Sequence, residues 1–360
     1  MTDPTAFRAE FPVLTRFAYL NAGTDGPIPQ AAADAVRGQM VEETMQGRVG
    51  PAHFEQSRTL AASVRAGYAD VLGAQPIEVA LTGSTTDGVN TVIGGLALGS
   101  GDEILTTDQE HPGLLAPLRR ARLVRGVTIR SVPFEEIAGE VGRRTRLVAC
   151  SHVSWVGGAV VDVDAIKATG VPLLLDAAQA LGAVPIDVHA LGCDFYAASG
   201  QKWLCGPDGS GCLWVAPERL DELEPPWPGY GTLSDHLDCL ESGLTDGVPR
   251  LDHGFPPAVR SVWALASLNV LRDAGWAWVH ERAATLAQRL ADLLRDRGKT
   301  VLPRGNSTLV SWETTEPEPD VERLRGLGML LRSIPTHGVI RASVGAWTSE
   351  EELERLARVA

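Results

Sequence analysis

From about Val79 to Val215 the chain alternates short, continuous apolar runs with segments of helix length. Glu103-Ile104-Leu105-Thr106, Arg146-Leu147-Val148-Ala149-Cys150, Val171-Pro172-Leu173-Leu174-Leu175, Phe195-Tyr196-Ala197-Ala198 and Gly211-Cys212-Leu213-Trp214-Val215 read as buried strands. Runs of this kind, separated by helical lengths, predict a mostly parallel sheet with helices on both faces, an α/β fold. Polar residues stand where the runs end: Ser151 and His152, then Asp176, then Ser199 to Lys202. Ligands of open α/β sheets collect at the carboxyl ends of strands, so these positions are expected to converge.

The Pro/Gly-rich stretch Glu224 to Gly231 closes that core, and an irregular region runs on to about Pro257. Helical periodicity then covers Val262 to Leu271 and Ala277 to Arg297. Strands are predicted near Ser307-Thr308-Leu309-Val310 and Val339-Ile340-Arg341-Ala342. A last helix follows, with Thr348-Ser349-Glu350-Glu351 as its capping box and Leu353, Leu356 and Ala357 on one face. The pattern predicts a large domain over 17–255 and a smaller α+β domain made of 1–16 and 256–360. There is no internal repeat.

A chain of 360 residues has room for that division. A net charge of -13 argues against nucleic acid or an anionic membrane as a partner. No signal-peptide pattern opens the chain and no apolar run is long enough to span a bilayer. Five irregularly spaced cysteines form neither a metal signature nor a disulfide framework, so no metal is expected and a cytoplasmic location is.

Lysine is nearly absent. Of 32 basic side chains only Lys167, Lys202 and Lys299 are lysines. Arginine stays protonated, whereas a lysine amine can lose its proton and attack a carbonyl to form a Schiff base. Lys167 and Lys299 sit in polar contexts and read as solvated. Lys202, in Ser199-Gly200-Gln201-Lys202-Trp203-Leu204-Cys205-Gly206-Pro207 between two apolar strands, is the candidate nucleophile.

Other positions admit two readings each. Ser84-Thr85-Thr86 before the apolar positions Val89, Val92 and Leu96 either cap a helix or bind a phosphate at its N-terminus. Asp176 either caps the next helix or is a dry carboxylate set against a protonated ring nitrogen, as a pyridoxal phosphate (PLP) site requires. His111 is structural, exposed or functional. Arg341 either makes a surface ion pair or grips a substrate carboxylate with two parallel hydrogen bonds.

The order of motifs resembles the class V aminotransferases. It runs Tyr19-Leu20-Asn21, Ser84-Thr85-Thr86-Asp87-Gly88-Val89-Asn90, Glu110-His111, His152-Val153-Ser154, Asp176-Ala177-Ala178-Gln179, Ser199-Gly200-Gln201-Lys202 and Ile340-Arg341-Ala342-Ser343. The resemblance spans nearly the whole chain. It implies the fold-type I architecture: a large αβα domain with a mostly parallel seven-stranded sheet, a small α+β domain, and a homodimer. It further implies that Lys202 carries PLP, Asp176 pairs with the ring nitrogen, Gln179 bonds the ring hydroxyl and His111 stacks on the ring. Ser84, Thr85, Thr86, Ser199 and Gln201 would hold the phosphate, and Arg341 the carboxylate of an amino-acid substrate, with Asn21 close by.

Three departures refine the activity that the resemblance implies. Cysteine desulfurases carry a nucleophilic cysteine shortly before the Arg341 strand, and this chain has no cysteine after Cys239. Trp155 stands where desulfurases have an asparagine, which, with Lys202-Trp203-Leu204-Cys205-Gly206-Pro207, is similar to the cysteine/cystine C–S lyase and isopenicillin N epimerase-like branch. Phe255 stands where relatives place a threonine that reaches the neighbouring subunit's phosphate. The expectation is a PLP-dependent C–S lyase acting by β-elimination on a sulfur-containing amino acid. Transamination, epimerisation and a non-catalytic PLP-fold protein are the alternatives.

Overall fold

The computed structural model describes residues 3–235, 237–252 and 254–360. A two-residue strand, β1 (Ala18–Tyr19), precedes the central sheet. That sheet consists of β2 (Val79–Thr82), β3 (Glu103–Thr107), β4 (Thr128–Val132), β5 (Thr145–Ser151), β6 (Leu173–Asp176), β7 (Phe195–Ser199) and β8 (Gly211–Val215). Its order is β2-β8-β7-β6-β5-β3-β4, and every pairing is parallel except those of β8. Two of the seven escape a reading based on apolar runs. β2 is four residues long, and β4, Thr-Ile-Arg-Ser-Val at the sheet edge, is polar at several positions.

Alternation along the strands explains why both faces are dry. Leu105, Val148, Cys150, Leu173, Leu175, Tyr196 and Trp214 point into one core. Their neighbours Ile104, Leu147, Ala149, Leu174, Phe195 and Leu213 point into the other. Side chains alternate across a strand, so continuous apolar runs are needed where helices cover both sides. The first core is covered by helix Gly50–Leu72, through Val64, Tyr68 and Leu72, and by helix Ala258–Ala274, through Ala264, Leu268 and Leu271. The second is covered by helices Thr85–Gly95 and Pro112–Arg125, through Val89, Val92, Leu114 and Leu118. Each fully buried Leu, Ile or Phe contributes about 1.5–3 kcal/mol relative to exposure.

The smaller layer contains β9 (Leu309–Glu313), β10 (Met329–Leu330), β11 (Arg332–Ile334) and β12 (Val339–Ser343). β11, β12 and β9 form an antiparallel sheet, whereas β10 pairs in parallel with β1, so the start of the chain joins this layer. Helices Trp276–Asp296 and Glu350–Val359 pack Leu286, Leu290, Leu294, Leu353 and Leu356 against Val310, Ile340 and Leu20. The capping box of the last helix lies one residue later than expected. Ser349, not Thr348, is the N-cap, and Glu352, not Glu351, returns the bond. Thr348 is still part of a turn closed on Gly345, and Arg8 grips the Glu352 carboxylate through both of its terminal nitrogens.

Candidate active site

The segments that leave the carboxyl ends of β2, β3, β5, β6 and β7 meet the β11–β12 hairpin around a cavity of about 290 Å³. Ser84, Thr85, Thr86, His111, Asp176, Gln179, Ser199, Gln201, Lys202 and Arg341 all line it. Convergence is what a parallel sheet does to residues placed just past its strands.

Lys202 follows β7 by three residues, in a loop held from several sides. Gly26 donates its N–H to the Gln201 carbonyl at 2.8 Å, and a Cβ on Gly26 would come within 2.1 Å of the Lys202 carbonyl oxygen. Only glycine permits that approach. Cys205 is the one non-glycine residue with positive φ (56°) among the described residues, and its carbonyl accepts from Trp263 Nε1 (3.0 Å) and Ser267 Oγ (2.8 Å). A conformation of this kind costs about 1–3 kcal/mol and persists only where neighbours fix it. Burial brings the Lys202 amine down to about 8; Asp176 opposes the shift and Arg341 adds to it. Of the other lysines, Lys167 is exposed and Lys299 half-buried.

Asp176 ends β6 and is buried. Its Oδ1 accepts the Ala178 N–H at 2.9 Å within a turn; no helix begins there, the next one being Val188–Leu191 with Asp187 as its N-cap, so the helix-capping reading fails. Among the described residues no side chain forms an ion pair with it, and the carboxyl group lines the cavity. Burial raises its pKa, against the Ala178 bond and the Lys202 charge. Behind it lies Glu110, pushed up to about 7 by burial despite the hydrogen bonds it receives from Ser151 and Thr107.

Also lining the cavity, Ser84 caps helix Thr85–Gly95 by accepting the Asp87 N–H. Thr85 and Ser199 join their hydroxyls at 2.6 Å, and the Thr85 N–H donates to Ser199 Oγ at 3.0 Å. Thus Ser84, Thr85, Thr86 and Ser199 line one space at a helix N-terminus. The capping reading holds for Ser84, and the helix N-terminus beside it is of the kind that favours an anion.

The remaining wall is cationic. Arg341 is 2% exposed, donates to the Trp155 carbonyl at 2.7 Å and leaves Nε without a partner. Burial, with Arg332 close by, lowers its pKa to about 9. Arg332 lies directly across the hairpin from Arg341 and lines the same cavity. His111 caps helix Pro112–Arg125 by accepting the Gly113 N–H on Nδ1, and its ring meets Trp155 edge-on at 5.0 Å. Partial desolvation and the charges of Lys202, Arg341 and Arg332 hold the imidazole down to about 4. Gln179 donates to the Gly23 carbonyl and accepts from Trp203 Nε1.

Asn21 does not line the cavity. It bridges Ser343 at the end of the Arg341 strand and accepts the Thr24 hydroxyl on its own side-chain oxygen. Sequence reasoning overlooked Gly23, Thr24, Asp25, Ala178 and Arg332. Arg332 was within reach: Pro335-Thr336-His337-Gly338 is a turn signal, and folding the chain about it sets residue 332 opposite 341.

The aminotransferase class-V family model matches residues 18–356, and the chain belongs to that family. Isopenicillin N epimerase of Streptomyces clavuligerus is 30% identical, with 94% of this chain and 92% of that protein covered. A probable cysteine desulfurase of Pseudomonas aeruginosa is also 30% identical, covering 99% and 97%. The cystine C–S lyase C-DES, solved with its reaction product cysteine persulfide, matches at a TM-score of 0.92 and 28% identity over 97% of this chain and 98% of that one. A Lys→Ala variant of C-DES with glycine covalently linked to the PLP cofactor matches at 0.91, with 28% identity and 98% of each chain covered.

The protein is therefore a PLP-dependent enzyme of fold type I. The residues present fit that cofactor. A buried carboxylate, a desolvated lysine and a hydroxyl-lined helix N-terminus face one cavity, which is what a ring nitrogen, an aldehyde carbon and a phosphate need. Among the described residues no metal-ligand cluster forms, and no helix is long and apolar enough to cross a membrane.

Proposed function

We propose that the chain is a PLP-dependent C–S lyase that acts by β-elimination on cysteine, cystine or a related sulfur-containing amino acid. The observation that carries this reading is one cavity in which Lys202 and Asp176 face a two-arginine wall and no lining residue is a cysteine. Bound PLP supplies an electron sink for the negative charge left when the substrate loses its Cα proton. Asp176 holds the ring nitrogen's proton, and Ser84, Thr85, Thr86, Ser199 and Gln201 hold the phosphate. Arg341 clamps the substrate carboxylate, and Arg332 adds a second positive charge beside it. Lys202, with an amine held near 8, carries the cofactor and then serves as base at Cα. The sulfur group leaves from Cβ as a thiol or persulfide, and water hydrolyses the remaining aminoacrylate to pyruvate and ammonia.

The absence of a cavity thiol supports elimination over sulfur transfer. The four buried thiols, Cys150, Cys193, Cys205 and Cys212, are pushed up by burial and are poor nucleophiles, and Cys239 is exposed. We also propose a homodimer in which Phe255 makes no contact with the partner's phosphate. The similarity to an isopenicillin N epimerase favours one second reading, return of a proton to the other face of Cα. A product assay separates the two. With cysteine and cystine, pyruvate plus sulfide or persulfide supports lyase action. Racemised amino acid without pyruvate would make it an epimerase, and a keto acid with pyridoxamine phosphate a transaminase.

A further inference from the structure

Glu110 is a buried carboxylate one residue before His111, and the chemistry above leaves it without a role. The Ser151 N–H donates to both of its oxygens at 3.0 Å, Ser151 Oγ to Oε2 at 2.5 Å, and Thr107 Oγ1 to Oε1 at 2.6 Å. All of these donors are neutral, and no ion pair to Glu110 exists among the described residues. Ser151 is the last residue of β5 and pairs in register with Asp176, the last residue of β6. The next residue, His152, donates its N–H to the Asp176 carbonyl at 2.9 Å. Gln109, on the other side of Glu110, accepts the Ser154 hydroxyl at 2.6 Å just before Trp155.

We propose that Glu110 is a positioning residue. Its carboxylate ties the end of β3 to the end of β5, and through Ser151 it sets the height and electrostatic surroundings of Asp176. A full core alone would not call for this carboxylate, since neutral side chains fill space without the cost of burying a charge-bearing group. An acceptor with two oxygens is what the Ser151 N–H and two hydroxyls together require. The inference rests on the reading of Asp176 as the partner of the PLP nitrogen.

The test uses the holoenzyme with Glu110→Gln, Ser151→Ala and the double variant. Gln keeps the shape but sets an amide N–H where an oxygen now accepts. The first readout is the pH titration of the bound cofactor's visible absorption. Above about pH 7, where Glu110 is mostly ionised, removing its negative charge near Asp176 disfavours the protonated form, so a midpoint in that range should fall by roughly half a unit in Glu110→Gln. The second is turnover: kcat should drop about tenfold with KM within about twofold, a displacement effect. Ser151→Ala should shift both in the same direction by less, and the double variant should be no worse than Glu110→Gln alone. A Glu110→Gln enzyme that melts earlier yet keeps the wild-type midpoint and kcat would reduce Glu110 to a structural brace and overturn the proposal. So would additive effects in the double variant, because Glu110 would then not act through Ser151. If Glu110→Gln does not fold, Ser151→Ala alone carries the test: an unshifted midpoint rejects the idea. The absorption titration needs no substrate, so failure of the lyase assignment would leave it standing.

Discussion

The cavity floor, where β6 and β7 end, sets Asp176 and Lys202 near one another as opposite charges without joining them in an ion pair. The facing wall, the β11–β12 hairpin, sets Arg332 and Arg341 directly across from each other as like charges. On the floor, reactivity comes from desolvation: burial raises the Asp176 carboxyl and lowers the Lys202 amine. On the wall, like charges opposite one another in an antiparallel pair are unfavourable, and an anion arriving from outside removes the penalty. In the proposed reading the floor serves a proton and a covalent bond, and the wall a carboxylate. Substitutions should separate cofactor chemistry from substrate binding along that line.

The largest effect belongs to the floor. Lys202→Ala should keep its far-UV circular dichroism, lose the visible absorption of bound cofactor and lose about 10⁴-fold in kcat, the range of a removed acid–base group. A variant freed of amino acids that still keeps a visible band would mean that another lysine carries PLP. Asp176→Asn should retain PLP but lose about 10³-fold in kcat, with KM little changed. Because the Asp176 charge props up the Lys202 amine, the same variant studied without cofactor should show a Lys202 pKa below about 8, measurable by the pH dependence of amine acylation. A rise there would contradict the electrostatic account of the floor.

Arg341→Lys breaks the wall and spares the floor. A planar fork makes two parallel hydrogen bonds to a carboxylate that an ammonium cannot copy. Catalytic efficiency should fall about 10²-fold with an unchanged cofactor spectrum. Arg332→Ala should cost less, about tenfold in kcat/KM, in line with loss of one charge-assisted contact. Equal losses for both, or a spectral change in either, would erase the distinction between floor and wall.

The two regions also differ in how far the sequence discloses them. Floor residues sit immediately after strands that announce themselves as unbroken apolar runs, so Asp176, Ser199 and Lys202 could be assigned to one edge before any coordinates. The wall comes from short strands: β11 has three residues, Arg-Ser-Ile, too few for periodicity to register. Arg341 was found through its motif and Arg332 was not. β4 was missed for a related reason, because an edge strand with polar residues on one side lacks a continuous run. Gly23 illustrates a further limit. A Cβ there would lie within 2.8 Å of Ser343, Arg341 and Gln179 atoms, a constraint that exists only once three distant segments have met.

The smallest expected effect concerns the thiols, and it tests whether the wall lacks a reactive group. Cys205 lies three residues past Lys202, yet it is buried, its thiol is pushed up by burial and it does not line the cavity. The hairpin side has no cysteine after Cys239. Sulfur transfer needs a thiolate that can reach the substrate sulfur, and thiolates require exposure and positive surroundings. Replacing Cys150, Cys193, Cys205 and Cys212 by Ala, and Cys239 by Ser, should therefore leave kcat/KM within about threefold per site. Any larger loss should track the melting temperature, since truncating a buried side chain costs stability. Cys205→Ala is the informative member of the set, because its left-handed backbone holds the Lys202 loop; it should lower stability without changing the products. Mass spectrometry of the wild-type enzyme stopped during turnover should find no persulfide on any of the five. A persulfide on one of them would transfer the reaction from the lysine floor to a thiol and replace elimination with sulfur transfer.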